Sequence, residues 1–600
     1  LVFVRGMSGI MFKQLSYVVS FSLACSLAVA LTMVPMLTAR IFRPGGNGSA
    51  VPAGRTGRLF AASGEALKGM EDGYRRVLHF ALNHRRWVLC GSLALFVSSL
   101  CLVPFVGVEF MPATDEGEVR VNAEMAVGTR VDLVDEAFRK IEAIVEKEVP
   151  EIRNTVSFIG GVGWRTRGSH TGELRIGLKP QSERARSSEA IAEALRKKLT
   201  GIPGMIIRTR AGQGLFLLRM GTTDADKVQV EIRGHELDVA DALGQRVKTA
   251  VEGVDGITDA QLSRESGSPE ELVVIDRRKA SDMGLTVSQI ADMLQTVLSG
   301  TEAGYYREGG KEYRILVKLE EAERMDLRDI LDLTLTNAEG RSVVLRNAVA
   351  IRPRTGPVLI ERKDQERIIA VSANISGRDM GSVLADIRKE FRTIPVPRDF
   401  QILFGGDYEE QQKAFRELLL SFTLALVLVY MVMASLYESF RDPFVVMFSV
   451  PLASVGVILM LLLTDTTFNV QSFIGCIMLG GIVVNNAILL VDHVNLLQRR
   501  DGMPLREAIE EAGRRRLRPI LMTATTTMLA LVPLALGMGE GGEAQAPMAR
   551  AVIGGLLSST LMTLIFVPTI CSYFKSRRRE KTKAASPDPV RSVPHAGLEV

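Results

Sequence analysis

Residues 466–491 read TTFNVQSFIGCIMLGGIVVNNAILLV, a stretch of 26 residues without one charged side chain. At about 1.5 Å rise per residue, a helix of this length crosses the hydrocarbon core of a membrane. A soluble helix would carry a polar face, and this one has none. Six more apolar runs of about 20 residues or longer lie at 15–39, 87–108, 418–437, 443–464, 519–539 and 551–574. The 300 or so residues between the second and third runs are polar and of mixed helical and strand character. The fold class expected is a polytopic α-helical membrane protein with seven transmembrane helices and a large α+β extramembrane domain.

Basic residues fix the orientation. Arg40, Arg43, Arg75, Arg76, Arg85 and Arg86 follow the first run, and Arg499, Arg500, Arg506, Arg514, Arg515 and Arg518 follow the fifth. Lys575, Arg577, Arg578 and Arg579 follow the seventh, whereas the loops near Asp465 and at 540–550 are almost free of Lys and Arg. The positive-inside rule places 40–86, 438–442, 492–518 and 575–600 in the cytoplasm and 109–413 on the far side. The net charge of +5 is therefore a topology signal, and no nucleic-acid partner is expected.

Cys25, Cys90, Cys101, Cys476 and Cys571 all fall in apolar runs, so no disulfide framework is available to the exported domain. The six His residues show no ligand spacing. No metal site, cofactor, nucleotide loop or nucleophile–base pair is legible, which argues against an enzyme. The chain opens on Leu1 without a start Met, and the expectation is a piece of something longer.

Within the exported domain, strand 118–125, helix 131–148, strands 155–159 and 173–179, helix 187–199 and strand 205–210 give a β-α-β-β-α-β order, the split βαβ arrangement. A second unit begins with strand 227–233, helix 238–252 and strand 257–263. It continues with strand 272–276 and helix 287–299. Residues 300–365 read as a β-rich insertion, after which 367–375, 381–393 and 400–404 give another βαβ. A glycine-rich stretch at 160–168 joins two strands of the first unit. No Lys-Ser/Thr follows it, so a phosphate loop is a weak reading. It reads either as a plain strand connection or as a substrate-facing loop carrying Trp164.

Several segments resemble the resistance-nodulation-division efflux pumps of bacterial inner membranes, in their multidrug and hydrophobe exporter branch. These are 30–37 (ALTMVPML), 110–112 (FMP) with 115–118 (DEGE), 405–412 (GGDYEEQQ), 437–443 (YESFRDP), 481–489 (GIVVNNAIL) and 516–523 (RLRPILMT). In order and spacing they cover nearly the whole chain. The resemblance implies family helix 6 at 1–39, a cytoplasmic loop with an amphipathic surface helix at 40–86, and helix 7 at 87–108. It further implies a ferredoxin-like porter subdomain at 109–215, the first part of a second with the start of the docking region at 216–299, a docking-type subdomain at 300–365, the rest of the second porter subdomain at 366–413, helices 8–12 at 414–574, and a disordered basic cytoplasmic tail at 575–600. The implied activity is proton-driven export of drugs or other small amphiphilic substrates across the inner membrane. The implied partners are a periplasmic adaptor protein, an outer-membrane channel, further copies in a trimer, membrane lipid, and a missing N-terminal half with helices one to five. A protein-translocation or lipid-handling relative and a non-transporting remnant are the alternative readings.

Polar groups inside a span default to functional candidates. The resemblance places Asn485 where many members carry a relay lysine, with Asn486 beside it; an amide cannot alternate its charge. Arg516 and Thr523 match other relay positions and lie two helical turns apart on one face. Helix packing for the amides, snorkelling for Arg516 and a backbone-bonded hydroxyl for Thr523 are the structural readings of the same residues. By carry-over, 161–168 matches the family's switch loop, with Val162 and Trp164 where two phenylalanines are common. Val162, Trp164, Arg167 and Arg175 are then the substrate-path candidates, and Arg175 replaces a pocket aromatic. That departure weakens the aromatic-lined pocket and leaves room for a more polar or anionic substrate. The face of 59–86 bearing Leu67, Met70, Tyr74, Leu78 and Leu82 is expected to lie on the inner leaflet.

Overall fold

The structure, a computed structural model, describes residues 6–41, 55–112, 114–160, 169–212, 228–263, 266–320, 322, 325–357, 360–539 and 541–584. It opens with three helices, α1 (Gly6–Ile41), α2 (Arg55–Asn83) and α3 (Arg85–Leu102).

The first α/β unit follows as β1 (Glu118–Glu124), α4 (Val131–Glu148), β2 (Ile152–Ile159), β3 (Thr171–Leu178), α5 (Ser188–Leu199) and β4 (Ile206–Ala211). Val119, Val121 and Ala123 alternate along β1 onto one face of the sheet. Val134, Phe138, Ile141 and Val145 line the matching stripe of α4, all fully buried. Ser187 starts α5 by accepting the Ala190 amide at 3.2 Å. All pairings are antiparallel, and the sheet order is β2-β3-β1-β4.

The second unit repeats this order. Its elements are β5 (Val228–Arg233), α6 (Leu237–Glu252) and β6 (Ile257–Leu262), completed far downstream by β13 (Glu361–Lys363), β14 (Glu366–Ile375), α10 (Met380–Phe391) and β15 (Gln401–Gly405). Both β6 and the short β13 pair with β14, which pairs with β5, which pairs with β15.

The segment between β6 and β14 differs from expectation. The strand expected at 272–276 belongs to β7 (Ser266–Ile275), whose partner is β12 (Val349–Pro357) and not the second unit. Between these stem strands lie α7 (Arg277–Asp282), α8 (Val287–Leu298), the hairpin β8 (Thr301–Glu308) and β9 (Lys311–Val317), α9 (Leu327–Ile330), and the pair β10 (Thr334–Thr336) and β11 (Ser342–Val344). Ala280, Leu285, Ile290, Leu331, Leu345 and Ala348 form its own apolar core. The insertion therefore starts at β7, upstream of residue 300. Alternation along a strand tells which residues face inward but not which sheet receives them.

The helical bundle contains α11 (Asp407–Tyr437), α12 (Arg441–Met447), α13 (Ser449–Leu463), α14 (Val470–Arg500), α15 (Leu505–Ala535) and α16 (Gly542–Ala584). Counting α12 and α13 as one span, 7 helices among the described residues are long and apolar enough to cross a membrane. The break at Phe448 precedes Pro451, which has no amide to offer the Met447 carbonyl. Helices α13, α14 and α16 form the centre, with Ala453, Val457, Leu479, Val483, Ala551 and Leu556 buried between them. Residues 17–41 of α1 are exposed throughout.

The amphipathic helix also departs from expectation. Leu78 and Leu82 of α2 are buried against Val494, Leu497, Ala508, Ile509 and Ala512. The Tyr74 hydroxyl donates to the Leu564 carbonyl at 2.7 Å. Its apolar stripe thus packs largely on α14, α15 and α16, leaving Met70, Val77 and Phe80 exposed.

Polar contacts tie the α/β domain to the bundle. Lys363 Nζ donates to Glu231 Oε1 and to Glu409 Oε2 of α11, each at 2.6 Å. Asp379, the N-cap of α10, accepts the Val108 amide at 3.2 Å, beside the Thr467–Glu109 hydrogen bond of 3.1 Å. Gln181 Nε2 and the Asp115 amide donate to Glu543, at the start of α16, at 2.9 and 3.2 Å.

Candidate functional site

Helices α14 and α15 are antiparallel neighbours joined by a short turn at 501–504. Their contact holds polar side chains in two tiers. In the upper tier Asn486 is buried, only 5% exposed, and its Oδ1 lies 3.5 Å from the Thr523 hydroxyl. That hydroxyl also reaches the Ile520 and Pro519 carbonyls, at 3.0 and 3.1 Å. A hydroxyl has one proton to donate, so the backbone-bonded reading of Thr523 describes its stronger contacts and the amide its weaker one.

The lower tier lies seven residues along each helix, about 10 Å toward the basic end. Here His493 of α14 and Arg516 of α15 are electrostatic neighbours. Both ring nitrogens of His493 and Nε of Arg516 are buried without a hydrogen-bond partner among the described residues. His493 lies outside the motifs that carry the family resemblance. The available signal was its spacing, seven after Asn486 just as Arg516 is seven before Thr523.

Asn485 does not join this contact. It is exposed, as are Thr523, Thr525 and Thr526 of α15. The structure thus brings together Asn486, Thr523 and Arg516 along one helix contact and sets Asn485 apart, on a face that no helix among the described residues covers.

The second candidate region is the open face of the first sheet. Because Val119, Val121 and Ala123 point to the helices, Glu118, Arg120, Asn122 and Glu124 point away. The register lays Val156, Arg175, Arg120 and Arg210 in one row, and Phe158, Glu173, Asn122 and Arg208 in the next. Arg175 is paired with Glu173 at 3.1 Å, and its guanidinium lies 5.1 Å from the centre of the Phe158 ring. Arg120 meets Glu118 at 2.5 Å, and Arg208 meets Glu124 at 2.9 Å. This face is a lattice of guanidinium and carboxylate groups with one aromatic ring. Val162, Trp164 and Arg167 lie outside the described residues. Among the described residues no cluster of three or more His, Cys, Asp or Glu is arranged to hold a metal ion.

Comparison with known proteins supplies the context. The sequence profile of the AcrB/AcrD/AcrF family matches residues 1–575. The chain belongs to that family. Its members include inner-membrane subunits of resistance-nodulation-division pumps, which are secondary transporters and not enzymes. The family resemblance carried by the motifs and the family found by comparison are the same.

Among the relatives, "Multidrug resistance protein MdtC" of Erwinia tasmaniensis is 29% identical over 593 residues, covering 96% of this chain and 55% of its own length. "Cobalt-zinc-cadmium resistance protein CzcA" of Cupriavidus metallidurans is 26% identical over 596 residues, covering 98% of the chain and 55% of its own length. A crystal structure of a heavy metal efflux pump superposes with a TM-score of 0.72 at 26% identity, covering 85% of this chain and 53% of that one. The chain spans about half the length of the curated relatives it matches.

Proposed function

We propose that this chain is the C-terminal half of an inner-membrane exporter that moves amphiphilic compounds outward in exchange for protons, working in a trimer with a periplasmic adaptor and an outer-membrane channel. In this reading all seven long apolar helices span the inner membrane, the basic loops face the cytoplasm, and 109–413 is periplasmic. The observation that carries it is the tiered polar contact of Asn486, Thr523, His493 and Arg516 within an otherwise apolar bundle. Polar groups held there cost free energy and persist where they serve an ion or substrate path. The uncovered side of α14 and α15, with Asn485 and Thr523 exposed, is where a further helix bundle would supply the carboxylates of the relay.

The open sheet face narrows the substrate. Four guanidinium groups, Arg120, Arg175, Arg208 and Arg210, stand against Glu118, Glu124 and Glu173, a balance that favours amphiphiles bearing an anionic or strongly polar group. The relatives named for multidrug and for metal resistance both match this chain closely, and the face favours the organic substrate.

The test is dye efflux from a pump-deficient Gram-negative strain expressing the chain alone or beside a matching N-terminal half, with anionic, neutral and cationic dyes. Efflux only with both halves, abolished by a protonophore and fastest for the anionic dye, is expected. Uncoupler-sensitive efflux by the chain alone would overturn the need for a second half. Absence of efflux in both arms, with both halves present in the membrane, would overturn the exporter reading.

A further inference from the structure

Resting on the exporter reading, we propose that Asp259 and Arg196 are a positioning pair for transport: a releasable latch that holds the two α/β units together and opens in each cycle.

The latch stands on a bulge. Strand β6 pairs Ile257 with Ile375 and Thr258 with Asn374, then Gln261 with Ser372, so Asp259 and Ala260 together oppose Ala373 of β14. An extra residue of this kind bends the strand and re-aims a side chain. Asp259 takes a φ of 57°, a conformation that glycine enters freely and side chains enter at a cost. An aspartate at such a place points to a use for its carboxylate, and the carboxylate is in use. Its Oδ2 lies 3.3 Å from Nη2 of Arg196, in the last turn of α5 in the first unit. The Asp259 side chain is 13% exposed and that of Arg196 28%.

Arg196 is placed to let go and return. The same Nη2 donates to the Thr209 carbonyl of β4 at 2.8 Å, and the Thr209 hydroxyl donates to the Ala192 carbonyl of α5 at 2.8 Å. The guanidinium is thus fixed to its own unit by the shorter bond and reaches the neighbouring unit by the longer one. Breaking the longer contact leaves the side chain in position, so little ordering is needed to remake it.

The units on either side of the latch are held to different membrane helices. The first is bonded to the start of α16, where Glu543 accepts from the Asp115 amide and from Gln181. The second runs from β15 into α11 and is clamped there by Lys363, between Glu231 and Glu409. Each unit keeps its own apolar core, and the two cores share no residue. A shift of α16 against α11 therefore loads the seam between the units, and the ion pair of Arg196 with Asp259 crosses that seam.

The test has two arms. Hydrogen–deuterium exchange of the chain in lipid nanodiscs reads the seam itself. Asp259→Gly keeps the bulge without strain and removes the carboxylate, and Asp259→Asn keeps the shape and removes the charge. Both should speed exchange in 188–211 and 257–262 by about three- to tenfold, the size expected for a part-buried charged contact. Unchanged exchange in 188–211 in both variants would overturn the latch. In cells with both halves present, the double variant Arg196→Cys, Asp259→Cys is joined by a short membrane-impermeant thiol linker that a reductant cleaves. The linked protein should lose dye efflux and regain it on cleavage, while each single variant treated alike keeps it. Efflux undiminished by the link would overturn the proposal and leave the exporter reading intact. No efflux by the unmodified halves would overturn the exporter reading and the cycle with it, while the exchange arm would still report whether the pair holds the units together.

Discussion

Gly456 of α13 and Gly554 of α16 meet backbone to backbone. A Cβ placed on Gly456 would lie 2.0 Å from the Gly554 carbonyl oxygen, and one placed on Gly554 would lie 2.4 Å from the Gly456 carbonyl oxygen. The Ser558 hydroxyl accepts the Gly456 amide at 3.1 Å in the same crossing. Helices in lipid gain nothing from hydrophobic exclusion, so close approach through small residues is what holds them together.

Gly456→Ala is therefore expected to destabilise the bundle, by about 1–3 kcal/mol as for other overpacked contacts, and Gly456→Leu by more. Gly481, on the open side of α14, has nothing within 4 Å of its virtual Cβ. Gly481→Ala should leave stability unchanged or raise it by up to about 1 kcal/mol, since glycine is costly in a helix. Thermal unfolding in detergent, followed by intrinsic fluorescence, separates the two. Equal melting temperatures for Gly456→Ala and wild type would show that the crossing can relax.

Such a contact was not legible in the sequence, and the reason is physical. Apolar runs and the stripe of Val134, Phe138, Ile141 and Val145 are local patterns, fixed by helix period. Which glycine meets which depends on the arrangement of helices about a hundred residues apart. The same holds for β7, whose alternation was visible while its partner β12 was not. His493 was hidden for a third reason: it matches no motif, and its burial beside Arg516 arises only when α14 and α15 pack.

Asp115 and Arg184 lock the entry of the first unit. Arg184 Nη2 lies 2.5 Å from Asp115 Oδ1, with the two side chains only 1% and 10% exposed. Burial pushes the Asp115 carboxyl up, but hydrogen bonds from Arg184, Ser188 and the Gly117 amide outweigh it and hold the group at about 2. A carboxyl held below its unfolded value of about 3.9 stabilises the fold above that pH and loses the effect as pH falls toward 2. Acid should therefore loosen the first unit between about pH 4 and 2, with a loss of about 2 kcal/mol. Arg184→Met leaves an unpaired buried carboxylate and should cost about 3–5 kcal/mol. Limited proteolysis of the 114–212 region against pH measures both; an acid response unchanged by Asp115→Asn would remove this pair as its origin.

Lys363 joins the sheet to the membrane helix. Its ammonium bridges Glu231, whose side chain is 3% exposed, and Glu409 of α11. Burial would lower its pKa, yet hydrogen bonds to both carboxylates raise it above the ordinary lysine value, so the bridge persists through neutral and moderately alkaline pH. Lys363→Met should leave Glu231 with Arg233 as its remaining cation and free the start of α11 from the sheet. The expected readout is faster hydrogen exchange in 407–413 and in β5, with the first unit unaffected. Unchanged exchange in both segments would assign the bridge no mechanical role.

Neighbouring amides on α14 should behave as opposites. Asn486 is buried against α15, so Asn486→Leu sets an apolar side chain against the Thr523 hydroxyl and should lower the melting temperature as well as efflux. Asn485 is exposed and makes no side-chain hydrogen bond among the described residues, so Asn485→Ala should leave the stability of this chain within about 0.5 kcal/mol of wild type. In a pump completed by its other half, that same change should impair efflux if the amide meets a group from the covering helices. The decisive comparison is the pair of variants measured twice, by melting of this chain and by dye efflux with both halves present. Wild-type efflux in Asn485→Ala would remove Asn485 from the relay and leave the Asn486, Thr523, His493 and Arg516 contact as its seat in this half.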